Sequence, residues 1–161
     1  MKKYKFDKYD KKYPYLFEKE KYKLKNLLAS SKIEHIGSTA IPSLGGKGII
    51  DILISVPKKE LKKVKNKLIN KGYIFKESGG DSERLFFEKD YGIFRKRRIH
   101  IQLTFNNSNI WKKSIKFRNV LVKDKKLREE YSLIKETAVK LGKERKEYRD
   151  FKKEFIENVL R

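Results

Sequence analysis

Residues 33–56 of this 161-residue chain read IEHIGSTAIPSLGGKGIIDILISV. Two apolar segments, 33–37 and 49–56, enclose eleven residues rich in Ser, Pro and Gly. This pattern predicts two strands joined by a loop over 38–48, because turn-forming residues interrupt regular structure. The second strand is nearly all apolar and holds one carboxylate, Asp51, so we expect it in the centre of a sheet that is covered on both sides.

The rest of the chain alternates helical and strand patterns around this pair. Apolar residues at helical spacing predict a helix before it, a helix after it, and three more from Ser108 onward, where Ser108 is a predicted N-cap. Helices are thus predicted at 15–29 and from 61 to Gly72, and strands, paired as an antiparallel meander, at 73–77, 84–89 and 98–105. This order predicts one domain over residues 1–161 of the α/β (α+β) class, a mixed β-sheet flanked by helices with C-terminal helices closing the chain.

The composition excludes several classes of protein. The chain has no cysteine, so it can hold neither a disulfide framework nor a thiolate zinc site. No apolar run is long enough to span a bilayer, and no apolar segment follows the basic residues at the amino terminus. We therefore expect a cytoplasmic protein with no membrane partner.

The charge of the chain is strongly positive. Its 43 basic and 21 acidic residues give a formal net charge of +22, which would attract any polyanion. Lysine supplies 34 of the 43 bases and is spread through every segment, as an AT-rich genome would produce. The only dense cluster is Arg95-Lys96-Arg97-Arg98. We expect nucleic acid to bind nonspecifically, and we keep open the alternative that it is a physiological partner.

The Gly37-Ser38 pair at the end of the first strand and Asp51 on the second are the most informative polar residues. A Gly-Ser turn lets backbone N–H groups approach a phosphate, and a carboxylate on the next strand can hold a divalent ion against it. The alternative is a tight turn together with an acid that caps something local.

The run over 33–56 resembles the signature of the GrpB family. The similarity continues through Arg84-Leu85-Phe86-Phe87, residues 99–103, Trp111, Phe117-Arg118 and residues 148–155, and covers roughly residues 14–158. It implies the fold of polymerase-beta-type nucleotidyltransferases, a nucleoside triphosphate or related phosphate ligand, and a divalent cation, Mg²⁺ or Mn²⁺. Carried over by position, Gly37 and Ser38 match the phosphate-binding turn, and Asp51 matches the first metal-binding acid.

The chain departs from that superfamily at the other acids. Leu53 stands where the second acid belongs, and the later strand offers His100 and Gln102 in place of the third. Gln102 occupies a position where the family often has a second His. The resemblance thus leaves Asp51, His100 and Gln102 as the metal-ligand candidates, and it puts two-metal catalysis in doubt, because leucine cannot bind a cation.

The two histidines of the chain, His35 and His100, fall on the strands expected to flank Asp51. Each could act as a general base, a donor to a phosphate or a metal ligand, so both join Asp51 as catalytic candidates. Two histidines and a carboxylate are also a ligand set for a transition metal. The alternative for each histidine is a satisfied residue of the core.

Three basic residues are phosphate-binding candidates. Lys47 lies near the end of the loop, in the segment Gly45-Gly46-Lys47-Gly48, which lacks the spacing of a P-loop. Arg84 and Lys152 match positions that are often basic in the family.

The sequence therefore predicts a nucleotidyltransferase-like protein that binds a nucleoside triphosphate or related phosphate ligand and transfers a nucleotidyl group to an acceptor. Two alternatives remain open. One is a non-catalytic nucleotide-binding or regulatory module that has lost the metal-binding acids. The other is a metal-dependent hydrolase using His35, Asp51 and His100.

Overall fold

A computed structural model describes residues 6–92, 97–141 and 145–161. In these ranges the chain forms one five-stranded sheet and five α-helices. The helices are α1 (Tyr13–Leu27), α2 (Leu61–Asn70), α3 (Asn109–Lys123), α4 (Lys125–Lys140) and α5 (Arg145–Leu160). The strands are β1 (Lys32–Ile36), β2 (Ile50–Val56), β3 (Ile74–Phe75), β4 (Arg84–Tyr91) and β5 (Arg97–Phe105).

The sheet has the strand order β1-β2-β5-β4-β3 and is mixed. β1 pairs with β2 in antiparallel fashion, β2 and β5 are parallel, and β3, β4 and β5 form an antiparallel meander. The parallel pair needs a crossover, which α2 and the meander supply. β2 and β5 lie side by side in the interior of the sheet, and the register between them decides which of their side chains are neighbours.

One face of the sheet is apolar and carries the main core. Alternate residues of β2 and β5 point to this face, among them Ile52, Ile54 and Ile101, all fully buried. Helices α1 and α2 cover it with Phe17, Leu24 and Leu68, among other residues.

The opposite face of β2 and β5 carries Asp51, Leu53, His100 and Gln102, and we call it the polar face. Helices α3, α4 and α5 pack together through a second apolar cluster that also takes in Ile41 and Leu44 of the loop after β1. Ser108 caps α3 by accepting a hydrogen bond from Trp111 N at 3.2 Å, as predicted. The C-terminal helices and the loop thus form one unit.

The predicted elements are confirmed with small shifts at their ends. The first helix covers 13–27 in place of 15–29, with Pro14 in its first turn, where a missing N–H costs nothing. The strand predicted at 73–77 is reduced to Ile74 and Phe75, since a 3₁₀ turn begins at Glu77. In the described part of the chain, no helix combines the length and apolar character that crossing a bilayer requires.

Candidate functional site

The polar face holds a row of three titratable side chains on neighbouring strands. Asp51 pairs in register with His100, and His100 pairs with Glu88. The Nδ1 atom of His100 lies 3.2 Å from Oδ1 of Asp51, and its Nε2 atom lies 4.0 Å from Oε2 of Glu88. Each side chain is 20–24% exposed. The row is therefore open enough for a ligand to reach, and Asp51 is not the enclosed acid that its place in an apolar strand suggested.

His35 lies on the other face of the sheet from Asp51 and His100. It pairs with Ile52, whereas Asp51 pairs with Ile36, and neighbouring residues of a strand point to opposite faces. The His35 ring stacks on Phe17, with ring centroids 4.5 Å apart and planes 9° apart. The structure thus brings Asp51 and His100 together but separates His35 from both.

The hydrogen bonds of His35 describe a neutral core residue. Thr39 Oγ1 donates to the carbonyl of Ile49 at 2.9 Å, so it accepts from Nε2–H of His35, also at 2.9 Å. Burial lowers the pKa of His35 to about 4, against a weaker opposing influence of Asp51. A neutral histidine that stacks on Phe17 and is hydrogen-bonded to Thr39 fits the alternative of a core residue whose polar atoms have partners.

Gly37 brings the end of β1 against Asp51. Its φ of 72° and ψ of −174° fall in a region that only glycine adopts readily. A β-carbon at position 37 would stand 2.4 Å from Oδ2 of Asp51. The missing side chain therefore makes room for the Asp51 carboxylate.

Ser38 faces the glycine loop Gly45–Gly48 in a similar way. A β-carbon on Gly46 would lie 2.5 Å from Ser38 Oγ and 3.4 Å from the Nζ atom of Lys135. The loop is held from its other side by Asp7, whose backbone exchanges two hydrogen bonds with Gly46, at 2.7 and 2.9 Å. Ser38, Gly46 and Lys135 consequently meet at one point.

Three lysines gather around this loop, and we call them the lysine cluster: Lys47, Lys135 and Lys152. The Nζ atoms of Lys47 and Lys152 lie 4.5 and 4.4 Å from the ring centroid of Tyr148. Lys135 is 3% exposed, donates to the carbonyl of Gly45 and lies 5.0 Å from the ring of Tyr131. The cluster thus brings cationic side chains of the loop, α4 and α5 together beside Ser38.

Burial is the main influence on the pKa of two of the three lysines. Burial, followed by the charge of Lys152, lowers the pKa of Lys135 to about 7. Burial likewise lowers the pKa of Lys152, while the nearby charge of Asp51 acts in the opposite direction. Asp51 lies against Gly37, and the next residue, Ser38, meets Gly46 and Lys135, so the lysine cluster and the polar face adjoin at this turn.

Lys135 is the residue that sequence reasoning missed. It lies on α4 four residues after Tyr131 and three before Ala138, and both of these are buried. The apolar spacing of this helix predicts its packing face, but it does not separate Lys135 from the other lysines of the chain. A cation on the buried stripe of a helix is the signal that could have found it, because a buried charge needs a partner.

Arg84 and Gln102 contact each other and not the lysine cluster. Arg84 Nη1 donates to Oε1 of Gln102 at 2.9 Å, and its Nη2 pairs with Asp81 at 3.0 Å. Arg84 pairs in register with Thr104, four residues along β5 from His100. The structure therefore places Arg84 toward the other end of the polar face.

The donors present do not make a two-metal site. Within residues 6–92, 97–141 and 145–161, no three His, Asp or Glu side chains are arranged to hold a metal ion. The oxygen of Gln102 already accepts from Arg84, Leu53 is fully buried in the place of the second acid, and Asp51 is contacted by His100. Glu88, the other acid of the row, is paired with Lys76 at 3.1 Å and Arg98 at 3.6 Å. One carboxylate and one imidazole remain, which are fewer donors than a metal pair requires.

Comparisons with known proteins agree on a family. A family model described as GrpB protein matches residues 3–161. The UPF0157 protein VC_A0354 of Vibrio cholerae is 32% identical over 158 residues, which cover 98% of this chain and 80% of that protein. The glutamate-rich protein GrpB of Alkalihalophilus pseudofirmus is 30% identical over 151 residues, which cover 90% of this chain and 87% of that protein.

Solved structures extend the likeness to the fold. The conserved protein GrpB of Enterococcus faecalis superposes with a TM-score of 0.80 at 26% identity and covers 97% of both chains. The Cid1 poly(U) polymerase, solved with Mg and 3′-dATP, superposes with a TM-score of 0.57 at 15% identity over 81% of this chain and 43% of that one. The fold is therefore nucleotidyltransferase-like, as the resemblance predicted.

Proposed function

This chain belongs to the GrpB family, and from that premise we propose that it binds a nucleoside triphosphate, with the phosphates held by the lysine cluster and Ser38. The observation that carries the proposal is the meeting of Lys135, Gly46 and Ser38 next to Asp51. Glycine-lined backbone, a hydroxyl and several ammonium groups at one point are the donors that a phosphate chain requires.

The charges in and around the lysine cluster support an anionic ligand. The ammonium groups of Lys47 and Lys152 share the ring of Tyr148, and both act on Lys135. Asp51 and Glu136 are the acids that oppose them at Lys135. Like charges held this close repel one another, and a polyanion would remove that repulsion.

Transfer of a nucleotidyl group is the second step of the proposal. In this step the acceptor oxygen bonds to the α-phosphorus while the bond from that phosphorus to the bridging oxygen breaks, and pyrophosphate leaves beside the lysine cluster. The proton of the acceptor hydroxyl goes to the partly exposed Asp51 carboxylate, which His100 contacts at 3.2 Å. Leu53 in the place of the second acid favours the alternative, a module that binds nucleotide without turnover. The hydrolase alternative has no such support, because His35 lies on the opposite face from Asp51 and His100.

A binding and turnover assay tests the proposal. Each of the four labelled nucleoside triphosphates is titrated into the protein, and product is then sought with and without RNA. RNA is included because one structural neighbour is an RNA terminal U-transferase. We expect saturable binding with one site per chain. Lys135→Met should weaken binding, whereas Lys153→Met should not, because Lys153 is an exposed lysine paired with Glu157.

Two outcomes of this assay are informative beyond affinity. Product formation that disappears in Asp51→Asn supports transfer, and saturable binding without product supports the non-catalytic module. Absence of saturable binding for all four nucleotides would overturn the proposal.

A further inference from the structure

We infer that the site binds the free polyphosphate and not its magnesium complex. The lysine cluster supplies the positive charge here. In a site with two or three acids, a pair of metal ions supplies it. The inference rests on the proposed function and adds to it the chemical form of the ligand. It follows from the unequal numbers of acids and bases that face the site.

The acid side of the site is too weak to hold a metal-phosphate complex. A divalent ion bridging protein and phosphates needs carboxylates directed at it. Asp51 and Glu136 are the carboxylates that act on Lys135. His100 contacts Asp51 at 3.2 Å, and the hydroxyl of Ser132 donates to Glu136 at 3.2 Å. Glu88, the other acid of the row, is held by Lys76 at 3.1 Å and Arg98 at 3.6 Å.

The basic side of the site is correspondingly strong. Lys135 is enclosed by the carbonyl of Gly45, the rings of Tyr131 and Phe6, and the point where Ser38 meets Gly46. An ammonium group in such a place is costly unless an anion joins it. Lys47 and Lys152 add two more charges at the ring of Tyr148.

The match between these charges and the ligand decides between the two chemical forms. A magnesium ion neutralises part of the phosphate charge and occupies oxygens that the lysines would otherwise bind. The free polyphosphate therefore gains more from the cluster than the magnesium complex does. A site with several acids has the reverse preference, because without the metal its carboxylates repel the phosphates.

Lys135 provides an independent signature of this mode of binding. Its pKa is lowered by burial and by Lys152 and Lys47, and it is raised by Glu136 on its own helix and by Asp51 on β2. A polyphosphate arriving beside it would raise that pKa again, so binding near pH 7 should take up a proton. A ligand whose charge a metal had already neutralised would produce less uptake.

Calorimetric titration with tripolyphosphate and with ATP, in EDTA and in excess MgCl₂, tests the inference. We expect binding at one site per chain in EDTA, weakened severalfold by MgCl₂, with proton uptake detected by comparing buffers of different ionisation enthalpy. Lys135→Met should weaken binding in EDTA at least tenfold and abolish the uptake, whereas Lys153→Met should leave both unchanged.

Asp51→Asn gives a second test whose sign separates the two modes. Removing one negative charge beside the lysines should tighten binding in EDTA, whereas a metal-bridged site would lose affinity in MgCl₂. Lys152→Met serves in place of Lys135→Met if the latter does not fold.

The opposite results are equally specific. Binding that requires MgCl₂ and is lost in Asp51→Asn would overturn the inference and leave the proposed function standing. Binding in EDTA at more than one site per chain, unaffected by Lys135→Met and Lys152→Met, would also overturn the inference and leave the proposed function standing. Such binding would be attraction to the general positive charge of the surface. Absence of binding of ATP under both conditions would overturn the proposed function as well.

Discussion

The α-carbon of Gly37 packs against the carboxylate of Asp51, so closely that a β-carbon at position 37 would lie 2.4 Å from Oδ2. The end of β1 and the start of β2 thus fix each other at the polar face. Gly37 also has a φ of 72° and a ψ of −174°, a conformation that other residues adopt only at a cost.

We expect Gly37→Ala to lower the free energy of unfolding by more than ~2 kcal/mol, from backbone strain and from displacement of the Asp51 carboxylate. In an Asp51→Ala background the same change should cost less, because the oxygen that it would meet is gone. Chemical denaturation of the two single variants and the double variant measures this coupling.

Gly72→Ala is the matched control for that cycle. Gly72 also has a positive φ, 83°, but its β-carbon would meet only the end of the Lys89 side chain, at 3.8 Å. It should therefore show strain without coupling to Asp51. Equal costs of Gly37→Ala in both backgrounds would contradict the steric relationship.

Asp51→Asn should leave the free energy of unfolding within about 1 kcal/mol of the wild-type value. The carboxylate is 24% exposed, and an asparagine of the same shape can keep the contact with His100. Any nucleotidyl transfer should disappear in the same variant. Thermal unfolding and the labelled-nucleotide assay check the two parts, and early unfolding with undiminished ligand binding would instead make Asp51 a structural cap.

Lys135→Met should stabilise the protein most at low pH. The pKa of Lys135 is lowered to about 7 in the folded protein from 10.5, so below pH 7 the native state must carry a buried charge, and that cost is relieved as the pH rises above 7. The stability advantage of Lys135→Met should therefore shrink by roughly 3 kcal/mol between pH 6 and pH 9. Denaturation at both pH values measures it, and an advantage independent of pH would show that Lys135 is not buried as described.

His35 should make the protein sensitive to acid in a different range. Its pKa is lowered to about 4 from 6.5, so as the pH falls below 6.5 the unfolded state binds a proton that the native state does not, and stability decreases. Wild type should lose roughly 3 kcal/mol more than His35→Gln between pH 7 and pH 4. Denaturation of the two proteins at a series of pH values tests this, and parallel curves would contradict the buried neutral histidine.

The excess of lysine predicts weak, nonspecific binding of duplex DNA. Because such binding releases counterions from the phosphates, its affinity should fall steeply between about 50 mM and 200 mM salt. Fluorescence anisotropy with two unrelated duplexes measures both properties. Tight binding that distinguishes the duplexes at physiological salt would favour nucleic acid as a specific partner. Arg95 and Lys96 of the basic cluster lie outside the described residues.

Most of the fold was predictable from the sequence, because local pattern decides where strands and helices begin and end. The apolar run over 49–56, the glycine- and serine-rich loop before it and the helical stripes after Ser108 each identify an element by its own residues. The motif shared with the GrpB family then indicated the strands on which Asp51 and His100 lie, and the structure brings these two into contact.

The tertiary structure alone decided which of the candidate residues share a site. Alternation along β1 shows that Glu34 and His35 point to opposite faces, but which of them faces Asp51 depends on the register between β1 and β2, across a loop whose length does not fix that register. The pairing of Ile36 with Asp51 places His35 in the core. Lys135 joined the site for a similar reason: its helix is more than eighty residues away from Ser38 in the sequence, and only the packing of α4 on the glycine loop brings the two together.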